Sequence, residues 1–405
     1  MGGVMEGVRV LEVAAWTFVP AAGAVLAEWG ADVLKIEHPR SGDPQRALVS
    51  SGLVPTGPGG VNHMIELPNR GKRSVGLDIR HPDGHATLLE LAKTADVFLT
   101  SFLPQTRRAL KIEVEDLRAA NPDIIYVRGS GQGQRGPEGE KGGYDGCSFW
   151  ARGVAEVSTP PDADWPAGQP GPAFGDLLGG LTIAGGISAA LFHRQKTGEA
   201  TVVDTSLYAL GMWATSASVM ASGLFGMSRM PPHDRSKAGN PLVNVYRTSD
   251  GRFLSLMMLQ SDRFWGDLVR VLGRPELEHD ERFVDAGARA ANSAACVATL
   301  EQIFASRPFA EWRTVLMDAQ GVWAPYLTSS EVLEDEQALA NGYIRPVEAP
   351  DGSTFRMVPS PLQFDETPPD LTRAPDHGEH TDEVLLELGL DMDAILDLKI
   401  KGAIL

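Results

Sequence analysis

The chain has 405 residues, 43% of them apolar and 22% charged, with a formal net charge of −17. This length and apolar content predict a folded protein of two or three domains and exclude disorder at domain scale. The acidic balance argues against nucleic-acid binding, yet a local basic cluster can still hold a phosphate-bearing small molecule, because screening acts over roughly 8–10 Å.

In chain order, residues 7–13 carry the β-branched content of a buried strand. A helix follows over 20–29, with proline in its first turn and Gly30 as its stop. Strands at 32–37, 74–78, 96–100 and 124–128 alternate with helices at 82–92 and 114–120. Such alternation predicts a Rossmann-like, doubly wound parallel sheet with ligands at the carboxyl ends of its strands. Gly131-Gln-Gly-Gln-Arg-Gly136 matches a dinucleotide fingerprint in letters only. That fingerprint opens a helix, whereas Pro137 and a charged, Gly-rich run follow here, so a mobile loop is expected. The N-terminus shows no signal-peptide architecture, and Cys147 and Cys296 stand far apart, so the expected setting is a reducing cytoplasm without disulfides or structural zinc.

A short helix is expected over 144–153, then a Pro/Asp-rich loop, then the stretch Pro170-Gly-Pro-Ala-Phe-Gly-Asp-Leu-Leu-Gly-Gly180. Asp176 stands at its loop-to-helix junction, where unpaired N–H groups and the helix dipole favour an anion. Two readings are open at this point: a helix N-cap, or a carboxylate nucleophile kept ionised beside backbone oxyanion donors. The helix runs to Lys196, and its glycines at 179, 180, 185 and 186 predict close backbone packing. A strand at 199–204 leads into the uncharged run 205–228, which has bilayer length but carries Thr205, Ser206, Thr215, Ser216, Ser218 and Ser222. A buried or interface helix is expected there, and no membrane partner.

Beyond it, a hairpin over 244–256, helices at 261–273, 290–305 and 309–320 and a strand at 322–327 predict a smaller α+β domain. Two short strands within 342–361 and a helix over 380–389 capped by Thr381 complete the reading. The expected domains are a large domain 1–204, a linker helix 205–228, a small domain 229–330 and, over 331–405, a return linker with C-terminal helices that join the large domain.

A series of motifs runs through this frame: Gly7-Val-Arg-Val-Leu-Glu-Val13, Gly30-Ala-Asp-Val-Leu-Lys-Ile-Glu-His-Pro39, Gly42-Asp-Pro44, Asn69-Arg-Gly-Lys-Arg-Ser74, Gly143-Tyr-Asp145, Gly175-Asp176 and Gly378-Glu-His-Thr-Asp-Glu-Val-Leu385. Together they resemble the family III CoA-transferases, whose fold is shared by the α-methylacyl-CoA racemases. The resemblance implies that Asp176 attacks an acyl-CoA thioester and then carries CoA as an aspartyl thioester before a free carboxylic acid takes it. It also implies an interlocked homodimer, acyl-CoA as substrate, and no permanently bound cofactor or metal. Racemases of this fold use a His in the segment matching Gly143-Tyr144-Asp145 and a Glu at the position aligned with Gln260. Tyr144 and Gln260 therefore point to acyl transfer, with Tyr144 beside the acyl aspartate. The rival readings are a racemase and an inactive CoA-binding homologue.

For CoA, the resemblance offers Lys35, His38, Arg40, Lys72 and Arg73 as phosphate partners at strand ends. Many relatives carry Glu-Asn-Phe-Arg-Pro-Gly where this chain reads Thr100-Ser-Phe-Leu-Pro-Gln105. Phe102 and Ser101 remain as candidates, and Arg107 and Arg108 are the expected substitutes for the missing arginines. Thr17 occupies the position of a substrate-contacting Gln. Phe149, Trp150 and Phe174 nearby suggest an apolar or bulky acid as acceptor.

Overall fold

The computed structural model describes residues 3–160, 162–227 and 234–405. The expected boundary at 228/229 lies outside the described residues. Two compact units emerge, Met1–Met230 with Leu339–Leu405, and Pro231–Ala338.

The larger unit is built on six parallel strands, β1 (Arg9–Val13), β2 (Asp32–Glu37), β3 (Arg73–Gly76), β4 (Val97–Thr100), β5 (Ile125–Ser130) and β6 (Val202–Ser206), in the order β3-β2-β1-β4-β5-β6. Strand alternation sends Val10, Val33 and Val97 to one face and Leu11, Leu34 and Phe98 to the other, so each face buries its own apolar layer. The first layer is covered by the first helix, Phe18–Glu28, and the long helix, Phe174–Thr197. The second is covered by Pro82–Lys93, Val114–Ala120 and two C-terminal helices, Thr381–Glu387 and Met392–Ile400. The mixed α/β, doubly wound class read from the strand pattern is what the chain adopts.

Thr381 is not the cap expected of it. Thr381 is the first helical residue, and its hydroxyl accepts the Gly76 N–H at 2.9 Å and donates to the Gly378 carbonyl. It ties the C-terminal segment to β3, whose Gly76 carbonyl also accepts from the Leu405 N–H.

The long helix is long and apolar enough to cross a membrane by composition, yet Ile183, Ala184, Ile187 and Ala190 are buried in the unit's core. Its glycines divide into two kinds. A Cβ at Gly179 would lie 2.2 Å from the Phe18 ring, and one at Gly180 2.4 Å from Ala21 Cβ, so both permit contact with the first helix. Gly185 meets no described atom within 4 Å, contrary to the packing expected of it.

The uncharged run is not one linker helix. It forms Leu207–Ala214 and Ser216–Phe225, broken at Thr215, and belongs to the larger unit. Gly211 packs backbone to backbone on Gly153, in the wide-wound π-helix Asp145–Val154, and the Thr215 hydroxyl donates to the Gly153 and Gly211 carbonyls. The smaller unit pairs β7 (Val243–Arg247), β8 (Phe253–Met257) and β9 (Trp323–Pro325) antiparallel over a core of Tyr246, Leu254, Trp265, Phe304 and Trp312. Two further strands, β10 (Arg345–Glu348) and β11 (Thr354–Met357), form a separate hairpin in the larger unit.

Gly180→Ala separates propensity from packing. Helix propensity alone would stabilise the protein by about 1 kcal/mol, whereas the contact with Ala21 predicts a loss of about 1–3 kcal/mol. Urea unfolding of the two proteins reads the sign.

Candidate active site

The strand order reverses between β1 and β4, and an open sheet binds ligands outside the carboxyl ends of its strands at such a point. A cavity of about 350 Å³ lies there. Ala15 and Trp16 line it from the end of β1, Ser101, Phe102 and Leu103 from β4, and Ser130 and Gly131 from β5. The Ser101 hydroxyl bridges the two central strands by accepting from the Ala15 N–H at 3.0 Å and donating to the Ala15 carbonyl. Phe18, Tyr144, Asp176 and Leu207 also line it, with Pro44, Thr106 and the glycines 129, 142 and 143. A Cβ on Gly131 would fall 2.6 Å from Gly143 Cα, so the loop that resembles a dinucleotide fingerprint folds back to form a wall of this cavity. Tyr144 is largely exposed and sets its ring edge-on to Trp16, with centroids 5.6 Å apart.

A buried charge cluster sets the β1 loop. Glu12 and Lys35 are register partners on β1 and β2, and both are fully buried. The Lys35 ammonium donates to Glu12 (3.3 Å), to Asp43 (2.9 Å) and to the Ala14 carbonyl (3.1 Å). Asp43 in turn accepts the N–H groups of Trp16 and Gln45. The Lys72 ammonium donates to Glu12 at 2.6 Å and to the Pro20 carbonyl at 2.8 Å. Burial opposes charge on Lys35, but Asp43, Glu12 and Glu37 outweigh it and hold the ammonium protonated. Burial dominates at Lys72 and, with the repulsion of Lys35, pushes it down to about 7 against the pull of Glu12. Glu37 is buried too, but hydrogen bonding and charge from Arg46, with the charge of Lys35, lower it to about 2. These bonds hold Trp16 in the left-handed region at φ 69°, a strained conformation for a tryptophan.

A second pair of carboxylates controls the long helix. Asp176 is its third residue, not its N-cap; the cap position is Ala173, at φ 60°. The capping acceptor comes from elsewhere in the chain. Both oxygens of the Asp145 carboxylate accept the Gly175 N–H at 3.1 Å, and the Gln169 amide also donates to it. A Cβ on Gly175 would meet Asp145 Oδ1 at 2.5 Å, so glycine is needed for this approach. Burial pushes Asp145 up, opposed by the N–H groups of Gly175, Asp176 and Phe174. Asp176 has no such compensation, because among the described residues no hydrogen bond reaches its carboxylate. Burial and the charge of Asp145 push it up to about 7, so the junction does not keep it ionised as a cap would be. Asp145 keeps the hydrogen-bonded position, and Asp176 is ionised only in part near neutral pH.

Several expected ligand residues have other employment. Lys35 and Lys72 are interior ions of the charge cluster, closed off from solvent. Arg73 stands at the opposite end of its strand, at the start of β3, and pairs with Asp32, Glu383 and Glu387. Arg107 is buried and binds Glu113, Gln134 and the Phe102 carbonyl, so it supports the β4 loop rather than replacing a missing arginine. Thr17 is buried with its hydroxyl on Gln45, and its neighbour Trp16 reaches the cavity instead. Phe149 and Trp150 belong to the core, and Phe174 packs on Phe149 outside the cavity lining. His38 and Arg40 follow the carboxyl end of β2, and Arg108 is exposed beside Glu140. Gln260 is an exposed residue of the smaller unit, ahead of the helix Ser261–Val271. Sequence reasoning passed over Asp145 as a ligand of the helix start. The signal was present in the Gly175 beside Asp176, but nothing local connects the two segments.

A cavity at the switch point of a doubly wound sheet, with one uncompensated carboxylate, defines an α/β enzyme with a carboxylate at its centre. The family model for CoA-transferase family III matches residues 5–381. The (R)-2-hydroxy-4-methylpentanoate CoA-transferase of Clostridioides difficile is 28% identical, covering 98% of each chain. The succinyl-CoA–D-citramalate CoA-transferase of Chloroflexus aurantiacus is 31% identical over 99% of this chain and 98% of its own. The crystal structure of a CaiB/BaiF family protein from Brucella suis superposes with a TM-score of 0.78 at 27% identity, covering 96% of this chain and all of that one. The chain belongs to CoA-transferase family III and is a CoA-transferase, an enzyme that takes an acyl-CoA and a carboxylic acid as substrates.

The raised carboxyl of Asp176 has a signed consequence for stability. Its folded value lies above the unfolded one, so its contribution is complete below about pH 4 and is lost as pH rises to about 7. Asp176→Asn removes this titration. The variant is expected to be more stable than the parent by about 4 kcal/mol at pH 8, with the gap closing towards pH 4. Thermal unfolding across that range measures it, and a gap independent of pH contradicts the assignment.

Proposed function

We propose that Asp176 is the covalent nucleophile of the transfer. Its carboxylate attacks the donor thioester carbonyl, forming a mixed anhydride and expelling CoA thiolate. The thiolate attacks the aspartyl carbonyl of the anhydride, leaving an aspartyl-CoA thioester and the free donor acid. The acceptor carboxylate repeats the sequence in reverse and leaves as the new acyl-CoA. The observation that carries this reading is an Asp176 carboxylate that lines the cavity without a hydrogen bond, where burial makes it a stronger base and nucleophile than an ordinary aspartate. Tyr144 lines the same cavity, and in this reading its hydroxyl donates a hydrogen bond to the acylated aspartate.

In this reading His38, Arg40 and Arg108 hold the CoA phosphates. Arg40 is exposed, and its guanidinium pairs with no carboxylate among the described residues. The active species in this reading is a homodimer, supported by the exposed apolar side chains Trp213, Met220, Leu224 and Phe225 on the helices Leu207–Ala214 and Ser216–Phe225. The free thiols Cys147 and Cys296 fit a reducing, cytoplasmic setting. No further cofactor enters the steps.

The test mixes acyl-CoA donors with a panel of free acids and detects new thioesters by mass spectrometry. The parent enzyme is expected to exchange CoA with kcat/KM rising to a plateau above about pH 7. Asp176→Ala is expected to lose about ten-thousandfold or more. Undiminished turnover in that variant contradicts the mechanism.

A further inference from the structure

The cavity at Asp176 has a chemical bias beyond its nucleophile. Trp16, Phe18, Phe102, Leu103 and Leu207 supply its apolar walls, and among the described residues no Lys, Arg or His lines it. Two basic side chains of the neighbouring elements are spent elsewhere. Arg107 binds Glu113, Gln134 and the Phe102 carbonyl, and Lys35 is enclosed by Glu12 and Asp43. The hydroxyls that line it are partly committed, since Ser101 bonds Ala15, and Ser130 accepts the Gly133 N–H. A substrate acid brings one carboxylate to Asp176. A second carboxylate would enter an apolar wall without a counter-charge, near the charged Asp145 that binds the start of the long helix. Removing such a charge from water without a partner is strongly unfavourable.

We infer that the acid served by this cavity is an apolar monocarboxylate, branched or aromatic, and that dicarboxylates are rejected for want of a cation in its walls. This rests on the transferase reading for its chemistry but not for its binding preference. The walls select by desolvation, so the apolar part of the acid contacts Phe18, Leu103 and Leu207 while its carboxylate faces Asp176. A like-charge or unpaired-charge cost at this depth corresponds to about a hundredfold in affinity.

Two measurements on the full-length protein separate the cavity's preference from the reaction. Equilibrium binding of 3-phenylpropanoate, 4-methylpentanoate, succinate and glutarate is followed by ligand-detected NMR at pH 6, where Asp176 is mainly protonated. Thioester formation is followed with the same four acids as acceptors, given 3-phenylpropanoyl-CoA or succinyl-CoA as donor. The inference predicts that both monocarboxylates exceed both dicarboxylates by about a hundredfold in each measurement. Leu103→Arg, checked for an unchanged melting temperature, is expected to improve glutarate at least tenfold relative to 3-phenylpropanoate. Selective binding of the monocarboxylates with no thioester formed from any pair supports the cavity assignment and overturns the transferase mechanism. Equal or better binding of succinate or glutarate by the parent protein overturns the cavity assignment whatever the turnover.

Discussion

The contact between Lys35 and the paired acids Glu12 and Asp43 holds the site in place. It joins β1, β2 and the loop after β2 at the carboxyl end of the sheet, and the same ammonium fixes the Ala14 carbonyl. From that point the chain has little freedom. Asp43 pins the Trp16 N–H, Lys72 pins Pro20, and the first helix begins between them. Removing one ion from such a cluster leaves a buried charge uncompensated, which costs about 3–5 kcal/mol in comparable cases. Glu12, Lys35, Asp43 and Lys72 do not line the cavity. Their part is to hold Trp16 in a strained conformation that makes it a cavity wall.

Two aspartates share one helix start and end with opposite properties. Asp145 reaches the first turn of the long helix and takes its N–H groups, so its negative charge is supported. Asp176 sits within the same turn, receives none of those bonds, and faces the charge of Asp145. A carboxylate that is weakly solvated and close to neutrality in pKa is ionised in part at neutral pH and unusually basic when ionised. That combination suits attack on a thioester better than a well-capped aspartate would. The close packing of Gly179 and Gly180 on the first helix then sets where this turn stands against the sheet.

Much of the frame was legible in the sequence, because parallel strands buried on both faces write themselves as apolar, β-branched runs. Asp176 was legible as a candidate, and its cavity neighbours Trp16, Phe18 and Tyr144 were noticed as segments. What failed was pairing between distant segments. Lys35 and Lys72 read as phosphate partners because nothing near them in sequence shows that Glu12 faces both. Charged residues inside otherwise apolar strands were the available hint. The cap reading of Asp176 stayed open because the true cap ligand, Asp145, lies in another element of the chain. Phe149 and Trp150 read as pocket residues because aromatic content alone does not separate core from cavity.

The most direct test of the account is to trap the covalent state. Incubation with an acyl-CoA followed by hydroxylamine would convert an aspartyl thioester or anhydride at Asp176 into a hydroxamate, located by peptide mass spectrometry. The account predicts the modification on the peptide containing Asp176, dependent on acyl-CoA and absent from Asp176→Asn. An unmodified Asp176 peptide from enzyme that is turning over, or a hydroxamate on another carboxylate, would contradict it.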